Sequence, residues 1–412
     1  MNAVFRIAQL GVVLGGAFLI LQGFAVIGMS VALMACWYYL FDRQLNRVVP
    51  VNVQPIGEKT ARFHENCFIA DLHADVCLWR RDLMSRHRRG HVDLPRLRAG
   101  NVALQFVTVP TKLVISPRFP RLFFSDLFFW GALLSLQRPD TWFSAAARAR
   151  LQLRRLACWI EQSGGAIRMV SSRGELNELS ERRGNNEDVI GVMLGLEGAH
   201  VLRGRLDVPW LAAQGFRVVG ITHFNDNQFG DSAHGVSRRG LKPAGRELVR
   251  QLDNHSITID LAHASAALID DVLEMHSQGE LSRPVLVSHT GIKGKHDHRR
   301  NISDEHAVAI ASAGGLIGIT LFAPGLPRAD LAAVGESISY TVKLLDGAGL
   351  EGARHVAIGS DFDGAVRTVV DVAGWGRITE ELLKPLHGLD PEQVEWIVGG
   401  NIRNFFAQNL PD

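Results

Sequence analysis

Cysteine is scarce in this chain. Four occur in 412 residues, Cys36, Cys67, Cys77 and Cys158, and Cys36 lies inside an apolar N-terminal run. Three widely spaced thiols in the remainder make neither a disulfide framework nor the paired spacing of a zinc knuckle. Net charge is nearly absent as well: 44 Lys and Arg against 42 Asp and Glu leave +2. That excludes an electrostatic case for nucleic acid, and no basic stripe interleaved with aromatics appears. The arginine-rich stretches (Arg80, Arg81, Arg86, Arg88, Arg89, then Arg148, Arg150, Arg154, Arg155) read as solvated surface or phospholipid-facing charge. Internal repeats and low-complexity segments are also missing, which leaves no support for a solenoid or a disordered chain.

One stretch lacks charge altogether. From Ile7 to Phe41 only Gln9, Gln22, Ser30 and a few glycines interrupt the apolar run. A spanning helix needs about 20 such residues, whereas the core of a cleaved signal peptide takes about 7–15. The run ends in Trp37, Tyr38 and Tyr39, which resemble an interfacial aromatic belt. Residues 1–41 are therefore expected to be a single-pass transmembrane anchor, with a hairpin turning near Gln22-Gly23 as the alternative. Arg6 and the amino terminus on one flank, against Arg43 and Arg47 on the other, are too evenly balanced to orient it.

Residues 42–65 read as a polar linker broken by Pro50, Pro55 and Gly57, and residues 66–412 as the catalytic domain. Hydrophobic residues make up 47% of the chain, enough for one large core. The domain holds eight strand-like runs: 68–75, 101–109, 189–197, 217–223, 256–262, 284–289, 314–321 and 355–361. Stretches of helical spacing such as GRELVRQLDNH and ASAALIDDVLEMHSQG separate most of them. Strand alternating with helix eight times predicts an α/β fold, a (β/α)₈ TIM-type barrel. Residues 110–145 fit this count poorly. Their apolar load (Leu122, Phe123, Phe124, Leu127, Phe128, Phe129, Trp130) suits either a helix packed on the barrel or a segment lying on a bilayer. Asp126 argues against a second spanning helix.

Several strand-like runs end in a histidine or a carboxylate: DLHADV, LGLEGAH, GITHF, IDLAHAS, VLVSHT and IGSDFDG. Buried parallel strands that each deliver one polar side chain at the C-terminal end converge on the face where such barrels do chemistry. The side chains delivered are His73, Asp75, Glu197, His223, His263, His289 and Asp361. Alternation puts His73 and Asp75 on one side of the first strand, as two ligands of one cation. Glu197 is costly to bury unpaired, and its two oxygens can bridge two cations. His263 and His289 add a ring nitrogen each. The mixed His/carboxylate set suits Zn²⁺, while Mn²⁺ or Co²⁺ could occupy it too. Two metals sharing a hydroxide would need a proton carrier. Asp361 is the candidate, with Asp363 not separable from it by alternation. His223 is placed to polarise a substrate oxygen.

In combination and in this order, DLHADV, LGLEGAH, IDLAHAS, PVLVSHT…RRN, HVAIGSDFDG and GGNIRNFF resemble the membrane (renal-type) dipeptidase family of zinc peptidases, over roughly residues 66–408. The resemblance implies two Zn²⁺ per chain. His73 and Asp75 would hold one, His263 and His289 the other, and Glu197 would bridge them. It implies a dipeptide substrate whose carbonyl side meets His223, whose amine meets Asp361 as proton carrier, and whose terminal carboxylate meets Arg300. A guanidinium forks a carboxylate well, and Arg299 is the neighbour most easily confused with it. The family tolerates D-residues at the C-terminal position. The segment FNDNQFGDSAHGVSRRG after the GITH histidine departs from the family pattern, as does 110–145, so side-chain preference is open. Anchoring is expected from the N-terminal run, since the sequence ends in QNLPD. The expected partners are the dipeptide, the membrane and, allowed but not required, a second copy in a homodimer. The competing readings are an amidohydrolase acting on another amide, lactam or ester, and a membrane-tethered binding protein that has lost a ligand. None of the ligands is missing.

Overall fold

The protein is described by a computed structural model over residues 28–34, 36–49, 55–114, 125–203 and 207–412. Its apolar runs fold as nine parallel strands: β1 (Ile69–Asp71), β2 (Val102–Pro110), β3 (Ile167–Met169), β4 (Ile190–Glu197), β5 (Phe216–Gly220), β6 (Thr258–Asp260), β7 (Leu286–Thr290), β8 (Leu316–Thr320) and β9 (Val356–Gly359). They pair in the order β1-β2-β4-β5-β6-β7-β8-β9. The ends of that row meet, because Leu72 N donates to Ile358 O at 3.1 Å and Asp75 N donates to Phe362 O at 2.8 Å. Eight strands thus curl into a nearly closed barrel, as the alternation of strand and helix predicts. β3 was not expected. It is three residues long and pairs only with β4, off the barrel path, too short to show a periodicity.

Leu72, Phe106, Met193, Val218, Leu286 and Leu316, from around the whole ring, fall into one apolar cluster. Only a barrel interior brings such positions together. Ile402 and Phe406 of the helix Asn401–Asn409 join the same cluster, with the Phe106 and Phe406 rings 5.0 Å apart. That apolar packing leaves the C-terminal strand ends for polar side chains. Outside the ring, helices such as Pro243–Asn254 and Ala266–Ser277 bury their apolar stripes on the sheet. Ser265 starts the second of these by accepting from Leu268 N, an N-cap with the usual geometry.

Residues 28–34 and 36–45 are helical, and this helix exposes Met29, Leu33 and Trp37. Most of the expected anchor, residues 1–27, lies outside the described residues. Among the described residues no helix is long and apolar enough to cross a membrane. The 42–65 stretch is less of a linker than its composition suggests. Asp42 and Asn46 are buried, and Glu58–Glu65 is a helix; only residues 50–54 fall outside the described residues. The arginine-rich stretches also differ from a purely solvated reading. Arg81 is buried against Asp42 and Asp363, and Arg148 against Asp126. Each carboxylate partner lies far from its arginine in sequence, so a local count of charge could not reveal it.

In the 110–145 region, residues 115–124 lie outside the described residues. The helix Leu127–Leu134 packs against the short helix Pro139–Phe143, with Phe129 and Ala132 buried and the Phe129 and Phe143 rings 5.4 Å apart. Asp126 caps it by accepting from Phe128 N and also pairs with Arg148 at 2.7 Å.

Candidate metal centre

Only two of the expected donors sit inside strands. Glu197 is the last residue of β4, and His289 lies in β7. His73, Asp75, His223, His263 and Asp361 each fall two to four residues beyond a strand end. Their convergence comes from the turns that leave the barrel, so strand alternation is not what aligns His73 with Asp75. His263 and Asp361 make those turns with φ of 62° and 62°, a left-handed conformation uncommon outside glycine and concentrated at functional sites.

The turns nevertheless gather the donors. Glu197 Oε1 lies 3.1 Å from His263 Nε2, 3.7 Å from His289 Nε2 and 3.7 Å from His73 Nε2. His73 Nε2 is 3.6 Å from Asp75 Oδ1, and His223 Nε2 is 3.3 Å from Glu197 Oε2. Two groupings, His73 with Asp75 and Glu197, and His263 with His289 and Glu197, each bring their ligand atoms within 4.8 Å of one another. They share Glu197. A third grouping joins His73 and His289 to Asp361.

Chemistry and geometry both fit divalent cations. Two nitrogens bound tetrahedrally at about 2.0–2.1 Å stand about 3.3 Å apart, and the His263 and His289 Nε2 atoms are 3.2 Å apart. The His289 tautomer is fixed from behind. Ser288 Oγ, at 2.5 Å from Asp260 Oδ2, spends its one proton there and must accept from His289 Nδ1, 2.8 Å away. That leaves the His289 Nε2 lone pair free for a ligand, the usual outer support of a metal-bound imidazole. Thr108 likewise donates to Asp75 Oδ1 at 2.5 Å.

Burial sets the protonation states. His73 is held down to about 3 by burial and by Arg300, and burial depresses His223, His263 and His289 well below the ordinary imidazole value. All four are neutral donors. Burial drives the Glu197 carboxyl well up, and its neighbours Asp75 and Asp361 raise it further. Such a crowd of acids is unfavourable without a cation at its centre. Asp361 is pushed up to about 7 by burial, with Arg300 opposing.

Asp75, Glu197, His223, His263 and Asp361 form one side of a cavity of about 250 Å³, below the range of about 300–1,000 Å³ usual for drug-sized ligands. Arg300 also faces it. Arg300 is buried and donates to His289 O at 2.6 Å, and no carboxylate lies within ion-pair distance of it among the described residues. Arg299 does not line the cavity. Asp363, the alternative to Asp361, is buried away from it and paired with Arg81 at 2.8 Å. Sequence reasoning passed over His234, whose ring stacks on Phe224 at 4.7 Å in the cavity wall. His234 Nε2 is buried with no hydrogen-bond partner among the described residues. It sits in an irregular loop, where neither period marks a side chain's direction.

The sequence model described as "Membrane dipeptidase (Peptidase family M19)" matches residues 58–409, nearly the whole barrel and its donors. The chain belongs to the membrane dipeptidase family. As a member it is a metallo-dipeptidase, a hydrolase of peptide bonds. This dipeptidase is 26% identical to Dipeptidase aclJ of Aspergillus oryzae over 356 residues, spanning 81% of this chain and 76% of that one. Its fold matches a metallopeptidase from Rhodobacter sphaeroides liganded with a phosphinate mimic of the dipeptide L-Ala-D-Ala. That match has a TM-score of 0.67 at 20% identity and covers 84% of this chain and 99% of that one. The probable dipeptidase PvdM from Pseudomonas aeruginosa matches with a TM-score of 0.67 at 18% identity, over 85% of this chain and 97% of that one.

Proposed function

We propose that this dipeptidase cleaves dipeptides carrying a free amine and a free carboxylate, using two divalent cations, zinc foremost. His73 and Asp75 would hold one cation, His263 and His289 the other, and Glu197 both. The observation that carries this reading is the single Glu197 Oε1 within 3.7 Å of three imidazole nitrogens. When bound, such a pair of cations supplies an activated water and Lewis acidity at the carbonyl.

The chain's own side chains supply the rest. Arg300, buried without a carboxylate, suits the substrate's terminal carboxylate as a charge-assisted, forked partner. Asp361, with its carboxyl near neutrality, can take a proton from the attacking water and return it to the departing amide nitrogen. As a carboxylate it also faces the substrate's ammonium group. His223, neutral and 3.3 Å from Glu197 Oε2, can donate to the carbonyl oxygen as charge grows there. The Phe224 and His234 wall bounds the substrate's side chains. The ligand of the Rhodobacter sphaeroides relative supports acceptance of a C-terminal D-residue. We further propose that the uncharged run from Ile7 to Phe41 anchors the chain in a bilayer, which its length and aromatic end support.

The test is metal content together with turnover of L-Ala-L-Ala and L-Ala-D-Ala on the full chain. About two zinc per chain with turnover is the expected result. Two cations without turnover would move the substrate to another amide or ester, and absence of bound metal would overturn the reading.

A further inference from the structure

The loop after β9 has an unusual backbone. Asp361, Asp363 and Ala365 have φ of 62°, 60° and 61°, so three residues in five occupy a conformation that disfavours any side chain. Alanine lacks even the local hydrogen bonding that eases it for aspartate. Such residues persist only where their surroundings enforce them. The Asp361 carboxylate also folds back over Gly364, where a Cβ would come within 2.1 Å of its Oδ1.

Part of the enforcement comes from the barrel. His91 N donates to Asp363 Oδ1 at 2.7 Å, Asp363 N donates to His91 Nδ1 at 3.0 Å, and Trp79 Nε1 donates to Asp363 O at 2.5 Å. The remainder comes from the segment that leads out of the apolar run. Ala365 N donates to Asn46 Oδ1 at 3.0 Å, and Asn46 Nδ2 donates to Asp42 Oδ1 at 2.9 Å. Asp42 pairs with Arg89 at 2.8 Å and Arg81 at 3.4 Å, and Arg81 pairs in turn with Asp363 at 2.8 Å. Two backbone bonds finish the seam, Val49 N to Thr368 O at 2.8 Å and Thr368 N to Arg47 O at 3.3 Å. Asp42 is fully buried. A carboxylate on a helix before the barrel has no reason to leave water except for these partners.

We propose that residues 38–49 are a working part of the active site, with Asp42 and Asn46 as positioning residues that hold the left-handed 361–365 loop and so aim Asp361. This rests on the proton-carrying role given to Asp361 above. It makes turnover depend on a segment outside the barrel.

The test uses full-length protein in detergent, loaded with zinc, with L-Ala-D-Ala as substrate. Asn46→Ala is expected to lower kcat about ten- to hundred-fold, as a misaimed catalytic group does, with zinc per chain unchanged. Adding Ala365→Gly, which enters the left-handed region freely, should restore most of that loss, a rescue that general destabilisation would not give. Hydrogen exchange at the Ala365 amide should quicken in Asn46→Ala, while Lys59→Ala, exposed on the helix Glu58–Glu65 outside this segment, changes nothing. Should Asn46→Ala fail to fold, Asp42→Asn carries the same expectation through Arg81. Unchanged kcat in both variants, or zinc lost in step with activity, overturns the proposal. A wild type that turns over no dipeptide sinks the reading of Asp361 instead, and the exchange measurement then decides the clamp alone.

Discussion

Arg300 shows what one side chain contributes here. Its charge is buried beside a site of neutral imidazoles, and it donates to the His289 carbonyl. An unmatched buried cation is costly, and a substrate carboxylate is the natural match. Arg300→Ala is expected to raise KM for dipeptides at least ten-fold with metal content preserved, as steady-state kinetics and metal analysis would show; lost metal would mean the residue supports the ligands instead. At this scale the sequence was legible wherever a polar residue came after an apolar run, because burial of such a residue demands a reason. Ser288 and Asp260 also follow apolar residues, but nothing in the sequence pairs them behind His289, and His234 carries no such mark. Their roles exist only once separate strands stand side by side.

Among the elements, the loops at the strand ends decide the site. The eight barrel strands were readable because continuous Val, Ile and Leu runs are what parallel, doubly covered strands require. The turns after them were not, since left-handed φ at His263, Asp361 and Ala365 leaves no compositional trace when the residue is not glycine. The loop containing His91 yields a pH prediction. His91 is held down to about 4, mainly by burial, against about 6.5 in the unfolded chain. The unfolded state therefore takes up the proton first, so stability falls as pH drops from about 6.5 to about 4 and is flat on either side. The contribution is about 3 kcal/mol. His91→Asn, which does not titrate, should flatten that part of the profile, read as the difference between denaturant midpoints of variant and wild type from pH 7 to pH 4. Parallel profiles would rule this contribution out.

For the whole molecule, the barrel brings to one cavity donors spread from Asp75 to Asp361. Each segment is covered by helices outside and by apolar packing within, so the scaffold does not depend on the donor set for its core. The donors themselves are another matter. Glu197 and Asp75 are both driven up by burial and by their acidic neighbours, a penalty that a bound cation converts into attraction. Chelation is expected to lower the unfolding temperature by several degrees, and added zinc to restore it. At a hundred-fold excess over its dissociation constant, one bound ion stabilises by about 2.7 kcal/mol. A melting temperature indifferent to chelator would mean that the acids find relief elsewhere.

The crowded carboxylates around Glu197 reach beyond catalysis, to how long each molecule survives. A chain finished while divalent ions are short spends a larger fraction of its time open, and open chains are what proteases remove. The number of copies in a cell would then follow ion supply as well as synthesis, so that scarcity thins the population before it idles the survivors.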